Sequence, residues 1–255
     1  MLFAFDIGNT NITLGGFKND ELIFTARLSS DAGRTADQYA ADIAGILALK
    51  GFSPSNEDEC IICSVVPTLS VSVSRAVIML TGKKPLVLGP GVKTGLNIKI
   101  DNPAQLGADL AAGAVGTIEK YPLPALVIDL GTASTLSVIN GKGEFLGGAI
   151  AAGIKSTLSA LTENTALLSE IGVEKPKKVI GSNTADCMKS GLIIGAAAMI
   201  DGFVTRMENE LGEEFKTIVA TGGLAGEVIP CCERKILIDD NLLLDGLKAI
   251  YNKNK

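Results

Sequence analysis

Alternating apolar and polar positions at the start of the chain predict three consecutive β-strands. A polar turn, Lys18–Asp20, separates the second strand from the third. Apolar residues then recur at helical spacing, return as short apolar strands, and recur at helical spacing again, an order that is typical of an α/β layer. The predicted elements are strands at 2–6, 11–17 and 21–28, a helix at 35–50, a strand at 61–65, a helix at 67–81 and a strand at 86–88.

The second half of the chain repeats the plan of the first. A loop at 89–103 and a helix of small residues at 104–119 lead to a proline-rich segment, Tyr121–Pro124. Because proline interrupts regular structure, this segment marks a domain boundary. Three more strands are predicted beyond it, at 125–129, 134–139 and 144–150.

Both halves carry the same short motif at the end of their first strand. Phe5–Thr10 and Ile128–Ala133 each begin with an apolar residue, Asp, an apolar residue and Gly. This duplicated hairpin resembles that of the actin, sugar kinase and heat-shock ATPase superfamily, in which two related domains clamp a nucleotide. The resemblance implies an α/β fold of two ribonuclease-H-like (actin-like) domains with a nucleotide cleft between them. We place these domains at residues 1–117 and 118–255.

Composition and charge narrow the classes of function. A length of 255 residues suits two domains, and a formal net charge of −5 argues against a nucleic-acid partner. We find no apolar run that approaches the 18 or more residues needed to span a bilayer and no basic leader, so we expect no membrane association and a cytoplasmic location.

The cysteines and the missing histidines limit the chemistry. Cys60 and Cys63 lie in an apolar strand, and Cys231 and Cys232 are adjacent, so reduced thiols are favoured over a zinc site among the five cysteines. The chain has no histidine. A general base must therefore be a carboxylate, Lys, Tyr or Cys.

The two Asp-x-Gly turns are suited to phosphate. Gly8–Thr10 and Gly131–Thr132 offer backbone N–H groups, and glycine allows a phosphate to approach closely. Asp6 and Asp129 would repel a bare phosphate, so they require a cation such as the Mg²⁺ of ATP. Either turn taken alone is equally explained as an ordinary hairpin turn.

A series of motifs resembles the type III pantothenate kinases over nearly the whole chain. That family implies an ATP-dependent kinase that converts pantothenate to 4′-phosphopantothenate, the first step of coenzyme A biosynthesis, and a homodimer. The matching segments, in family order, are Asp6–Asn11, Asn102–Pro103, Gly107–Asp109, Asp129–Thr132, Gly147–Ile150, Asn183–Thr184, Ser190–Gly191, Thr221–Gly223 and Asn241–Gly246.

The same resemblance implies roles for individual residues. Asp109 would be the general base, Asp129 would hold K⁺, NH₄⁺ or Mg²⁺ with Asp6 as a further metal position, and Thr184 would reach the acceptor site of a partner subunit. The implied ATP-binding residues are Asp6, Gly8, Asn9, Thr10, Asn11, Gly131, Thr132, Gly222 and Gly223. The implied acceptor-binding residues are Ile100, Gly107, Ala108, Asp109, Leu110 and Thr184. Structural alternatives are a helix cap for Asp109, an N-cap at Asn183 and a strand-to-helix turn at Thr221–Gly223.

Three positions depart from the family pattern. Leu110 stands where the family usually has an Arg that grips the pantothenate carboxylate, Ile100 replaces a Tyr, and Ala152 replaces a Pro. Lys99 is a candidate for the missing positive charge, although strand alternation points it away from Ile100. The alternative functions are therefore a kinase for another small hydroxyl substrate and a nucleotide-binding regulatory protein.

Overall fold

Two β-sheets organise the chain in a computed structural model that describes residues 1–163 and 171–255. Each sheet belongs to its own compact unit. The first unit comprises Met1–Leu96, Asn102–Glu119 and Leu242–Lys255, and the second comprises Asn97–Asp101 and Lys120–Asn241. The predicted domains, 1–117 and 118–255, cut the chain once, whereas these units interleave because the C-terminal segment belongs to the first.

The sheet of the first unit has five strands in the order β3-β2-β1-β4-β5. β1 pairs antiparallel with β2 and parallel with β4. As the central strand it is covered on both faces, which explains its nearly continuous apolar sequence. The elements are β1 (Leu2–Ile7), β2 (Asn11–Lys18), β3 (Glu21–Ser29), α1 (Ala36–Leu49), β4 (Glu59–Ser64), α2 (Pro67–Thr81), β5 (Leu86–Val87), α3 (Ala108–Lys120) and α8 (Leu242–Asn254).

The sheet of the second unit has six strands in the order β11-β10-β7-β8-β9-β6. Its β7–β8–β9 meander repeats the antiparallel β1–β2–β3 meander. The elements are β6 (Asn97–Ile98), β7 (Ala125–Leu130), β8 (Ala133–Ile139), β9 (Glu144–Ala152), α4 (Ile154–Glu163), α5 (Thr184–Lys189), α6 (Gly195–Leu211), β10 (Thr217–Thr221), α7 (Ala225–Val228) and β11 (Leu237–Ile238).

Helices cover both faces of the first sheet. Tyr39 and Ile43 of α1 and Val73 of α2 lie in one core with Phe5, while Val115 of α3 lies with α8 in a core on the other side. In the second unit α4, α6 and α7 share one core with β7, β8 and β10. Each unit therefore buries its own sheet, as two related α/β domains require.

The predicted strands of both meanders and the predicted helices α1 and α2 are confirmed. Two corrections concern the segment that joins the two meanders. The helix predicted at 104–119 begins at Ala108, because Pro103–Gln105 form a 3₁₀ turn capped by the Asn102 side chain and Leu106 is extended. The loop predicted at 89–103 contains a short strand, β6, which pairs with β9.

One helical run among the described residues, Thr184–Leu211, has the length and composition to cross a membrane. It spans 28 residues with a mean hydropathy of 1.5. The prediction that no apolar run approaches 18 residues is therefore wrong, because α5, the π-helical turn Ser190–Ile194 and α6 are continuous. Met188, Ile193 and Ile200 of this run are buried in the core of the second unit. A core helix of a globular protein passes the same test of length and composition.

Candidate functional site

The turn between β1 and β2 presents polar groups to solvent on a fixed base. The Gly8 N–H donates to the Asn11 carbonyl at 3.0 Å, and Ser30 donates from its hydroxyl to the Gly8 carbonyl at 2.6 Å. Ser30 also donates its N–H to the Thr10 carbonyl at 3.0 Å. Asn9, Thr10 and Asn11 are exposed while Asp6 is half-buried. Hydrogen bonds thus fix the backbone of the turn while its side chains remain exposed to solvent, as a phosphate-binding turn requires.

Asp109 lies in the first turn of α3, where a carboxylate interacts favourably with the helix dipole. Its Oδ1 accepts the Leu110 N–H at 2.8 Å, and the side chain is half-buried. A carboxylate with one oxygen engaged by the backbone keeps the second as a proton acceptor. Asp109 is the second residue of α3, inside the helix, and this position is compatible with the role of a base.

Cys63 also belongs to this site, although no local pattern in the sequence indicates a role for it there. Asp6 and Cys63 are register partners on the parallel strands β1 and β4, so their side chains lie on the same face of the sheet. Cys63 packs in one cluster with Ala112 of α3, and Asp109 precedes Ala112 by three residues on that helix. Burial raises the pKa of Cys63 well above its usual range, and the charges of Asp6 and Asp109 and a hydrogen bond to Asp6 raise it further. In the first unit, Asp6 and Asp109 thus both lie near the Cys63 thiol, which stays protonated.

The turn between β7 and β8 repeats the first turn in the second unit. The Gly131 N–H donates to the Ala133 carbonyl at 3.0 Å, and Gly131 and Thr132 are exposed. Asp129 is the register partner of Thr221 on the adjacent strand β10. The chain after β10 therefore passes beside Asp129, and the glycine pair that follows Thr221 lies next to the second turn.

Gly222 has a φ of +94°, a conformation that favours glycine. A Cβ at this position would lie 2.5 Å from Asp129 Oδ1 and 2.6 Å from backbone atoms of Leu130. The Leu224 N–H donates to the Leu130 carbonyl at 3.3 Å. The strand-to-helix turn is thus locked against the end of β7, and Gly223 is left exposed beside it. A cavity of ≈ 710 Å³ borders Gly223 within the second unit, a volume that suits a nucleotide-sized ligand.

The carboxylates fit a magnesium–nucleotide complex better than a protein-held metal centre. In the part of the chain that the structure describes, no group of three or more Cys, Asp or Glu side chains could hold a metal ion. Mg²⁺ usually keeps several waters and takes one or two carboxylates together with substrate phosphates. Asp6 and Asp129 each supply one carboxylate beside a phosphate-type turn.

The remaining acceptor-side residues lie on other elements. Ile100 follows β6, half-buried, and its Cγ2 lies close to Gly147. Leu110 is half-buried in the first turn of α3. Thr184 is exposed at the start of α5, and the preceding Asn183 accepts the Asp186 N–H at 2.9 Å, which is the predicted N-cap. The Lys99 ammonium lies 3.5 Å from the Glu144 carboxylate and is half-exposed.

The cysteines form no disulfide. All five thiols are free, with Cys60 and Cys63 buried in β4, Cys231 and Cys232 partly buried, and Cys187 exposed. The predicted buried strand is confirmed.

Comparison with known proteins identifies relatives over the whole chain. The profile of the type III pantothenate kinase family matches residues 2–206. A type III pantothenate kinase of Moorella thermoacetica is 41% identical over 257 residues, covering 100% of both chains. A type III pantothenate kinase of Geotalea uraniireducens is 38% identical over 255 residues, covering 100% of this chain and 99% of the relative.

Solved structures show the same fold at lower identity. A Baf family protein from Campylobacter jejuni superposes with a TM-score of 0.65 at 20% identity, over 99% of this chain and 98% of that one. A Sinorhizobium meliloti protein described as a 2-dehydro-3-deoxygalactonokinase gives a TM-score of 0.60 at 13% identity, over 99% and 96%. The predicted fold class, that of actin-like ATPases and sugar kinases, is confirmed.

Proposed function

The chain belongs to the type III pantothenate kinase family, and from that premise we propose how its residues divide the work of the reaction. It is an ATP-dependent kinase that converts pantothenate to 4′-phosphopantothenate, the first step of coenzyme A biosynthesis. The single observation that carries this conclusion is the match of the entire chain to type III pantothenate kinases.

Asp109 is the general base of the transfer. The primary hydroxyl of pantothenate attacks the γ-phosphorus of ATP, the bond from that phosphorus to the β-bridging oxygen breaks, and the hydroxyl proton passes to the Asp109 carboxylate. Phosphoryl transfer depends mainly on positioning and charge neutralisation, so a carboxylate suffices as a base. The half-buried position of Asp109 and its backbone hydrogen bond support the role, because they fix one oxygen and leave the other as an acceptor. The absence of histidine also favours a carboxylate.

The two Asp-x-Gly turns bind the phosphates of ATP. Asn9–Asn11 and Gly131–Thr132 supply exposed donors, and Gly222–Gly223 form the floor beside the adenosine. Asp6 would hold the Mg²⁺ of ATP, which would supply charge neutralisation on the phosphates. Asp129 would hold a monovalent cation, K⁺ or NH₄⁺.

The protein acts as a cytoplasmic homodimer in which Thr184 serves the acceptor site of the partner subunit. Support comes from large apolar side chains at the surface of the second unit, where Ile180 is 86%, Ile150 74% and Val179 66% exposed. Contact with a second copy of the chain would remove such side chains from water, which is favourable. The exposed position of Thr184 at a helix start leaves its hydroxyl accessible.

The test compares Asp109→Asn with Asp37→Asn in transfer from ATP to pantothenate. Asp37 occupies the first turn of α1 as Asp109 occupies that of α3, so both changes remove the same kind of helix-end charge. Loss of the base should lower kcat by about 10²- to 10⁴-fold, while Asp37→Asn should retain native kcat. An Asp109→Asn protein with native kcat would refute the assignment of the base.

Leu110 supports a second candidate function, transfer to another small hydroxyl substrate. Leucine cannot pair with a carboxylate as the guanidinium of arginine does. A native protein that is inactive on pantothenate, but phosphorylates another alcohol in an Asp109-dependent manner, would establish this alternative.

A further inference from the structure

One face of helix α4 forms a wall of the cavity in the second unit. Five of its residues line the cavity: Lys155, Leu158, Ser159, Thr162 and Glu163. Their spacing of three and four residues places them along one side of the helix. Because a helix rises 1.5 Å per residue, the row from the first to the fourth of these residues extends about 10 Å. An elongated ligand such as a nucleotide can therefore lie along this side of the helix.

The first turn of α4 lies at the second phosphate turn. Ala133 and Ala152 are register partners at the ends of β8 and β9, and α4 begins two residues after Ala152. The Ser156 hydroxyl donates to the Thr132 carbonyl at 3.1 Å. Lys155, the neighbour of Ser156, therefore stands at the end of the wall that adjoins the Gly131–Thr132 turn.

The opposite wall of the cavity is formed by the segment after β10 and by residues beyond α4. It consists of Gly223, Leu224 and Glu227 together with Ile171 and Val173. Together with Leu158 of α4, the side chains of Leu224, Ile171 and Val173 give the cavity an apolar surface. Such a surface suits the base and ribose of a nucleoside better than its phosphates.

The positive and negative side chains of the cavity lie at different places in it. Among the described residues that line it, Lys155 is the one cation, and it is exposed. Within residues 1–163 and 171–255 no carboxylate pairs with this ammonium. The carboxylates are Glu227 and Glu163, and Glu163 accepts the Ser159 hydroxyl at 2.5 Å two turns along α4. An anionic group is therefore favoured at the Lys155 end and disfavoured near Glu163.

We propose that Lys155 binds the phosphate chain of the nucleotide and so sets the direction in which the nucleotide occupies this cavity. The nucleoside extends from Lys155 along α4 towards Leu158 and Thr162. The inference rests on the proposed function for the identity of the nucleotide, but the contact itself requires only a nucleoside di- or triphosphate. Lys155 thus supplies a positive side chain beside the second phosphate turn, whose own residues, Gly131 and Thr132, carry no charge.

Calorimetric titration with ADP and with adenosine tests this contact, using the native protein, Lys155→Gln and Lys142→Gln. Lys142 is an exposed lysine of the β8–β9 turn outside the cavity, and it serves as the matched control. Because charge-assisted hydrogen bonds to phosphate are strong, we expect Lys155→Gln to weaken ADP binding roughly tenfold or more. Adenosine affinity should stay unchanged, and Lys142→Gln should bind both as the native protein does.

Two further measurements separate a phosphate contact from a structural effect. Raising the salt concentration should weaken ADP binding less in Lys155→Gln than in the native protein, because one charge contact is already missing. Lys155→Arg should restore most of the ADP affinity. Equal ADP affinity in the native and Lys155→Gln proteins, or an equal loss for adenosine, would overturn the proposal.

Steady-state kinetics test the Lys155 contact separately from the proposed kinase activity on pantothenate. Lys155→Gln should raise the KM for ATP with little change in kcat at saturating ATP. Lys155-dependent ADP binding by a native protein that does not phosphorylate pantothenate would refute the proposed acceptor and leave the Lys155 contact standing. Normal kinase activity with an unchanged KM for ATP in Lys155→Gln would refute the contact and leave the function standing.

Discussion

Replacing Gly222 by alanine should destabilise the second unit at the point where the nucleotide-binding turn meets β7. The backbone of Gly222 has a φ of +94°, and a methyl group there would lie 2.5 Å from Asp129 Oδ1 and 2.6 Å from backbone atoms of Leu130. Backbone atoms in a sheet cannot rotate away as a flexible side chain can. The neighbouring Gly223 provides a matched control, because a methyl group there would meet no atom within 4 Å.

The expected cost is the sum of two contributions. Placing alanine in a left-handed conformation costs about 1–2 kcal/mol. Relieving an over-close contact in a packed region costs about 1–3 kcal/mol more. The free energy of unfolding should therefore fall by roughly 2–5 kcal/mol, a large share of the ~5–15 kcal/mol that stabilises a typical protein. For a chain of this length the melting temperature should fall by roughly 4–20 °C.

Thermal unfolding followed by circular dichroism, together with kinase assays, measures both consequences. Gly222→Ala should lower the melting temperature and also kcat, since the methyl group displaces the Asp129 carboxylate. Gly223→Ala should keep the native melting temperature, while its position at the cavity makes the KM for ATP the sensitive quantity. A Gly222→Ala protein that melts within about 1 °C of the native protein would show that the turn relaxes without strain, and the reasoning from backbone contact would fail.

Two other predictions concern pH and the acceptor. Burial raises the pKa of Cys60 to about 12 from a usual 9.0, with the charges of Asp58 and Glu59 adding to the shift. The folded chain therefore holds this proton more tightly than the unfolded chain, so its stabilisation is present below pH 9 and is lost as the pH rises, at about 1.4 kcal/mol per pH unit. Urea unfolding at pH 8 and pH 10 should show a smaller loss of stability in Cys60→Ala than in the native protein or in Cys187→Ala, and an identical loss in all three would contradict this cause. For the acceptor, Leu110→Arg should lower the KM for pantothenate about tenfold with kcat nearly unchanged, because a guanidinium pairs with the carboxylate. An unchanged KM would mean that another cation already meets that carboxylate.

Most of the regular structure follows from periodicity, because both meanders alternate apolar and polar residues and α1 begins at a clear capping residue, Thr35. The predicted start of α3 is wrong because Asn102 and Pro103 favour a 3₁₀ turn, which has the same start signals as an α-helix. The sequence does not indicate β6, because a strand of two residues has no measurable period.

The candidate site was predictable where the backbone repeats and unpredictable where it depends on contacts between distant segments. The two Asp-x-Gly turns are visible as a repeat in the sequence. The place of Cys63 beside Asp6 arises from the register of two strands separated by more than fifty residues. The cavity wall likewise requires α4 and Gly223 to lie side by side, and no local pattern around Lys155 indicates that.

The nucleotide-binding and acceptor-binding parts of the site are specified by different kinds of interaction. The segment beside the second phosphate turn is specified by backbone geometry: Gly222 has a φ of +94°, and a Cβ there would lie 2.5 Å from Asp129 Oδ1. Recognition of the acceptor depends instead on the chemistry of individual side chains, so that one change such as Leu110 alters the charge that the acceptor meets. Mutations of the turns should therefore affect folding and catalysis together, whereas changes at Leu110 should affect acceptor binding alone. Comparing melting temperatures with the two KM values across the variants above separates these contributions.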